Sequence, residues 1–124
     1  MQHDILSDAL SAIKNAENIG RKLCEVPRSR IVLSVLKVLK ESGYIDDFKE
    51  KERTVEITLR GKINELAVIK PRFPVKKDGF VKFESRYLPS REIGIIVVST
   101  SQGVISHKEA KQKDLGGRLV AYVF

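Results

Sequence analysis

Three hydroxyls and a glycine, Ser99-Thr100-Ser101-Gln102-Gly103, directly follow the most apolar stretch of the chain, Ile93 to Val98. That stretch reads as a strand covered on both faces, because it is apolar without alternation. Hydroxyls held at the end of a rigid strand can donate and accept hydrogen bonds. They suit 2′-OH groups, phosphates and base edges, and a glycine lets another backbone come close. Lys108 and Lys111, three apart on the helix expected next, stand on one side beside the segment, where they can meet phosphate. The plainer reading is an ordinary turn, since Ser and Gly are turn formers.

Signals for catalysis or metal are weak. The sequence holds no G-x-S-x-G elbow, no P-loop and no G-x-G-x-x-G, and Gly94 and Gly103 are too far apart to cradle a phosphate. His3 and His107 stand apart from each other and from Cys24, so no metal-ligand spacing arises. Neither a metal nor a cofactor is therefore expected. His107 follows Ser106 at a helix start, where a polar residue is ordinary. Cys24, the only cysteine, reads as a small buried hydrophobe that cannot form an internal disulfide. Asp46 and Asp47 are adjacent in an expected strand and would point to opposite faces.

Charge narrows the choice of partner. The 124 residues carry 23 Lys and Arg against 16 Asp and Glu, a net of +7. The excess is uneven: residues 1–66 hold 12 basic and 11 acidic residues, and residues 67–124 hold 11 and 5. A basic half beside a near-neutral half suits one surface facing a polyanion, of which nucleic acid is the commonest. The purely apolar runs, Ile95 to Val98 among them, are too short to span a membrane. No charged-then-apolar leader follows Met1, so a cytoplasmic location is expected.

The elements that must position these groups read as α+β in two small lobes, 1–66 and 67–124. The first is an α-β-α-β-β unit. Asp4 is the expected N-cap of a helix through about Glu17, whose Leu6, Ala9, Leu10, Ile13 and Ala16 form one apolar stripe. A strand from Lys22 to Val26 precedes Pro27, and Ser29 caps a second helix ending at Gly43. Its β-branched residues favour a strand locally, but Ser34, Lys37 and Glu41 share a helical face opposite Val32, Leu36 and Leu39. Tyr44 to Glu50 and Thr54 to Arg60 are two strands around Lys51-Glu52-Arg53, the second with clean alternation. The second lobe reads as β-rich and antiparallel with one short helix. Ala67 to Lys70 is a strand halted by Pro71 and Pro74; a turn at Lys76-Lys77-Asp78-Gly79 leads into Phe80 to Phe83; Ser85 to Glu92 is a polar loop. Ser106 and Glu109 form a capping box for a helix to about Lys113. Gly116-Gly117 ends it, and Arg118 to Phe124 is a last strand, apolar on both faces and buried against Ile93 to Val98.

With these elements in order the chain resembles small-subunit ribosomal protein eight along essentially its whole length. Ser99-Thr100-Ser101-x-Gly103 before a capped helix, then Gly116-Gly117 and the apolar tail, carry the likeness. Asp8-Ala9-Leu10 with Ile13-Lys14-Asn15-Ala16, and Gly43-Tyr44-Ile45, are similar to the family's first helix and second junction. Pro71-Arg72-Phe73, Leu88-Pro89-Ser90-Arg91 with Gly94, and Arg118 in place of the bacterial glutamate look like the archaeal and eukaryotic branch.

The resemblance implies a structural protein without catalysis. It would bind the central domain of 16S ribosomal RNA as a primary binder, help organise the platform, and neighbour other small-subunit ribosomal proteins. It implies RNA contact at Ser99, Thr100, Ser101 and Gly103. Arg72 and Arg91 lie in matched loops and are favoured for RNA contact. Lys14 and Asn15 at the margin of the first helix, and Arg28 and Arg30 around the start of the second, are candidates that ordinary surface charge explains equally well. Arg86 and Tyr87 suit a guanidinium and aromatic pair that stacks on a base, or Tyr87 only packs beneath the loop. The free protein is expected to be a monomer. Two rivals remain: a regulator that binds messenger RNA through the same surface, and a small hydrolase using Ser99 or Ser101 with His107, which lacks a carboxylate orienter in sequence.

Overall fold

Burial falls on the first helix as its period demands. In a computed structural model describing residues 5–70, 72–90 and 92–124, α1 (Ile5–Asn18) buries Leu6, Ala9, Leu10, Ile13 and Ala16. Its expected cap, Asp4, lies outside the described residues. Gly20 adopts φ 76° beyond its last turn, and the Arg21 amide donates to the Ala16 carbonyl at 2.9 Å, closing the helix through a left-handed residue. The chain divides into two compact units, 1–66 and 67–124.

In the first unit, β1 (Leu23–Pro27) leads to α2 (Arg30–Glu41). The Ser29 hydroxyl accepts the Val32 amide at 3.2 Å, and Val32, Val35, Leu36, Val38 and Leu39 are buried. Burying this whole face against one core overrides the local preference of its β-branched members. Ser29→Ala is expected to lower stability by about 1 kcal/mol, read as a shifted urea midpoint; an unchanged midpoint would mean that the cap contributes nothing. Strands β2 (Ile45–Glu50) and β3 (Thr54–Leu59) complete a sheet of order β1-β3-β2. Glu25 and Glu56 face each other across β1 and β3, an arrangement that repels. The Lys51 ammonium bridges them at 3.5 and 3.2 Å.

The second unit is built on five strands. These are β4 (Leu66–Val68), β5 (Pro74–Val75), β6 (Ile95–Thr100), β7 (Gly103–Ser106) and β8 (Gly117–Val123). The order is β4-β8-β6-β7, with β5 also on β8. The final strand is apolar on both faces, as the sequence indicates: Leu119, Val120, Ala121 and Val123 are buried, and β8 pairs antiparallel with β6. One face packs Ile96, Val98 and Leu119 against Phe80, Phe83 and Ala110, with Tyr122 and Phe124 at the margin.

Three features depart from the sequence reading. Phe80–Tyr87 is a helix, α3, so this unit has two helices rather than one, the other being α4 (His107–Gln112). Phe80, Phe83 and Glu84 are its buried residues, and their i, i+3, i+4 spacing is helical. Pro74 begins β5 instead of stopping a strand. A proline at the first position of a short strand gives up little ladder pairing. Residues 103–106, expected to be the approach to a helix, form β7, and the apolar strand runs two residues further than expected, through Thr100.

Candidate nucleic-acid interface

The hydroxyl segment is the tip of a β-hairpin rather than a free loop. Its register pairs Val98 with Ile105, Ser99 with Val104 and Thr100 with Gly103, leaving Ser101 and Gln102 as a two-residue turn. Gly103 sits at φ 107°, a region that side-chain-bearing residues rarely enter. Successive strand residues face opposite ways, so Ser99 and Thr100 do not act as a pair. The Thr100 hydroxyl donates to the Gly103 carbonyl at 2.8 Å and accepts the Gln102 amide at 3.1 Å. Thr100 therefore braces the turn from inside. Ser99, Ser101, Gln102 and Gly103 are exposed and present two hydroxyls on a rigid mount.

Beneath the hairpin lies a polar cluster that the sequence does not announce. His107, at the start of α4, is 1% exposed and Glu84, on α3, is 3% exposed. His107 Nδ1 accepts the Ile96 amide at 3.0 Å, so the ring proton sits on Nε2, which lies 3.3 Å from Glu84 Oε1. The Lys111 ammonium closes on the same carboxylate oxygen. Lys108 and Lys111 are therefore unlike: Lys108 is exposed, whereas the Lys111 charge is spent on Glu84. The cluster also removes the chemistry of a hydrolase. Both His107 nitrogens are engaged, and neither is left to take a proton from Ser99 or Ser101.

Burial pushes the His107 pKa down to about 4 against the pull of Glu84, with Lys111 and Lys108 adding to the depression. In the unfolded chain the ring titrates at about 6.5. Between those values the unfolded chain binds a proton that the folded one refuses. The stability from neutral His107 is thus full above about pH 6.5 and lost as pH falls towards about 4. Urea midpoints should drop more between about pH 7 and about pH 4.5 for the natural chain than for His107→Gln. Equal drops would contradict the assignment.

The remaining candidates scatter. Arg72 is exposed, and Arg91 lies outside the described residues. The Arg86 guanidinium lies 5.3 Å from the Phe73 ring centroid and 5.4 Å from that of Tyr87. Tyr87 also packs on Tyr122 at 5.2 Å, so its ring belongs to the margin of the core. In the first unit Lys14 is paired with Glu65 at 2.5 Å and Arg28 with Glu50 at 3.5 Å. Asn15 and Arg30 are exposed. Arg30 shares a concavity with Arg28 and Arg53; Arg53 gives no signal in sequence because its turn is of mixed charge. Glu84 reads as a loop residue in sequence, although its spacing from Phe80 and Phe83 carries the signal of a helical face.

Residues 4–124 match the family model described as Ribosomal protein S8. The chain belongs to the ribosomal protein S8 family. It is accordingly a small-subunit ribosomal protein that binds the central domain of 16S rRNA, structural rather than enzymatic. For an S8 protein, which is structural, engaged histidine nitrogens carry no cost. Among the described residues no helix is long and apolar enough to cross a membrane.

Proposed function

We propose that residues 67–124 form the RNA-binding lobe, with the β6–β7 hairpin as its reading element. The observation that carries this is the tip itself: Ser99 and Ser101 exposed on a turn that Thr100 braces and Gly103 permits. Hydroxyls recognise RNA through bases and 2′-OH groups, and the excess charge of the same lobe supplies attraction to the backbone. Lys108 and Arg72 join the surface as phosphate contacts, and Arg91 is proposed from its sequence motif. Lys111 acts first as counter-ion to Glu84, and Lys14 and Arg28 contribute only where RNA displaces a carboxylate partner. Asn15 and Arg30 are secondary contacts in the first unit.

The chain, of the archaeal and eukaryotic branch by its Arg72, Arg91 and Arg118 motifs, binds the RNA directly, as a monomer, and helps organise the platform. The full chain is expected to bind a central-domain fragment of 16S rRNA at a salt concentration that releases fragments from the other domains. Equal retention of all fragments would reduce the lobe to a general polycation and contradict the reading.

A further inference from the structure

We infer that the RNA backbone is held by a second element beside the hairpin, the Lys76-Lys77 turn together with Arg118, seated there by Gly116 and Gly117. This rests on the RNA-binding reading above and adds to it residues of a different chemistry. Strands β5 and β6 each pair antiparallel with β8, so they run in the same direction. Their chains leave the sheet at the same end, β5 into Lys76 and Lys77, β6 into Ser101 and Gln102. Inside that end, the register sets Pro74, Arg118 and Ser99 in one row, and Val75, Gly117 and Thr100 in the next. Arg118 and Ser99 are direct cross-strand neighbours and share a face.

The two glycines make the row possible. A Cβ on Gly116 would lie 2.5 Å from the Val75 carbonyl oxygen and 3.1 Å from both Lys76 Cα and the Lys77 nitrogen. A Cβ on Gly117 would overlap the Ser99 carbonyl. Backbone atoms occupy both places, and backbone does not swing aside as a flexible side chain does. The double glycine, in sequence only a helix stop, is thus the joint that brings the basic turn and the hydroxyl turn onto one strand. Two strand spacings, about 10 Å, separate them, close enough for one stretch of RNA to touch both.

Charge points the same way. Lys76, Lys77 and Arg118 are exposed, and among the described residues no ion pair ties them. Lys111 and Lys113 are held by Glu84 and Glu109. Asp78 follows in the turn, so the row keeps a surplus of two positive charges. That surplus favours a phosphate backbone lying beside hydroxyls that read bases.

The test is the affinity of the full chain for a central-domain rRNA fragment across a salt series, with melting followed in parallel. Combining Lys76→Gln, Lys77→Gln and Arg118→Gln should leave melting near that of the natural chain, because all three side chains are exposed. Affinity should fall about tenfold or more, and the log–log salt slope should flatten by about 0.7–0.9 for each phosphate no longer neutralised. Lys113→Gln, already paired, should keep the slope. If the natural chain binds and the triple variant matches it in affinity and slope, this inference is overturned alone, and the three cations face an acidic protein partner instead. If the natural chain does not bind the fragment, the RNA-binding reading falls and takes this one with it.

Discussion

A chain ending at Arg118 is expected to lose the whole second unit and, with it, RNA binding. The missing residues are the part of β8 that lies between β4 and β6, so their removal leaves β4 and most of β6 without their ladder on β8, and only Gly117 and Arg118 remain to hold β5. The truncation also removes Leu119, Val120 and Val123, each fully buried. At about 1.5–3 kcal/mol for each such side chain, the loss is roughly 5–9 kcal/mol, as large as the entire stability of many domains. The hairpin shares β6 with the broken sheet, so its tip loses its mount. Amide exchange reads the outcome: residues 74–112 should exchange fast in the truncated chain while α2 and β3 keep protection. Slow exchange persisting at β6 would mean that β8 is an accessory strand and not the centre of the unit.

The second large effect is expected at the tip. Ser99→Ala combined with Ser101→Ala removes both exposed hydroxyls and touches no core residue. Each hydrogen bond removed should cost about 0.5–1.5 kcal/mol, more where an RNA group is left buried and unpaired. At about 1.4 kcal/mol per tenfold, the pair weakens binding by roughly one to two orders of magnitude. The salt slope should stay put, because hydroxyls displace no counterions. Thr100→Ala should act differently. It breaks the bonds to Gly103 and Gln102 and loosens the turn, lowering affinity through geometry, and Thr100→Ser should restore it by returning the hydroxyl. Filter binding across salt, with melting alongside, separates these cases. Unchanged affinity in a folded Ser99 and Ser101 double variant would leave the tip as a plain turn.

Legibility in the sequence followed element length. The 14 residues of α1 and 12 of α2 span enough turns for an apolar stripe to stand out against single exceptions. Strand β3 declares itself by alternation, and β8 by being apolar on both sides. The 8 residues of α3 offer barely two turns. Their face contains Glu84, which is apolar in location and not in kind, so the period is broken where the fold places its buried carboxylate. Glu84 is tolerated there because His107 and Lys111 arrive from α4, a tertiary fact with no local trace. The two residues of β5 and four of β7 are too short for any period.

The candidate site divides along the same line. Hydroxyl chemistry at Ser99 to Ser101 is visible from residue type alone. Which hydroxyl faces out is settled by the Thr100–Gly103 rung, and register is a property of the pairing. Lys108 and Lys111 look equivalent at three residues apart, and only the position of Glu84 tells them apart. Lys76, Lys77 and Arg118 read as scattered surface charge until β5 and β6 are seen to leave β8 at one end.

The central claim is that RNA sits on the β6–β7 hairpin of the second unit. Hydrogen–deuterium exchange of the full chain, free and bound to a central-domain 16S rRNA fragment, tests it most directly. RNA is expected to slow exchange at the amides of residues 99–103 first, with the Lys76-Lys77 turn and Arg118 beside them. Protection confined to the first unit, with residues 99–103 exchanging as in the free chain, would contradict it.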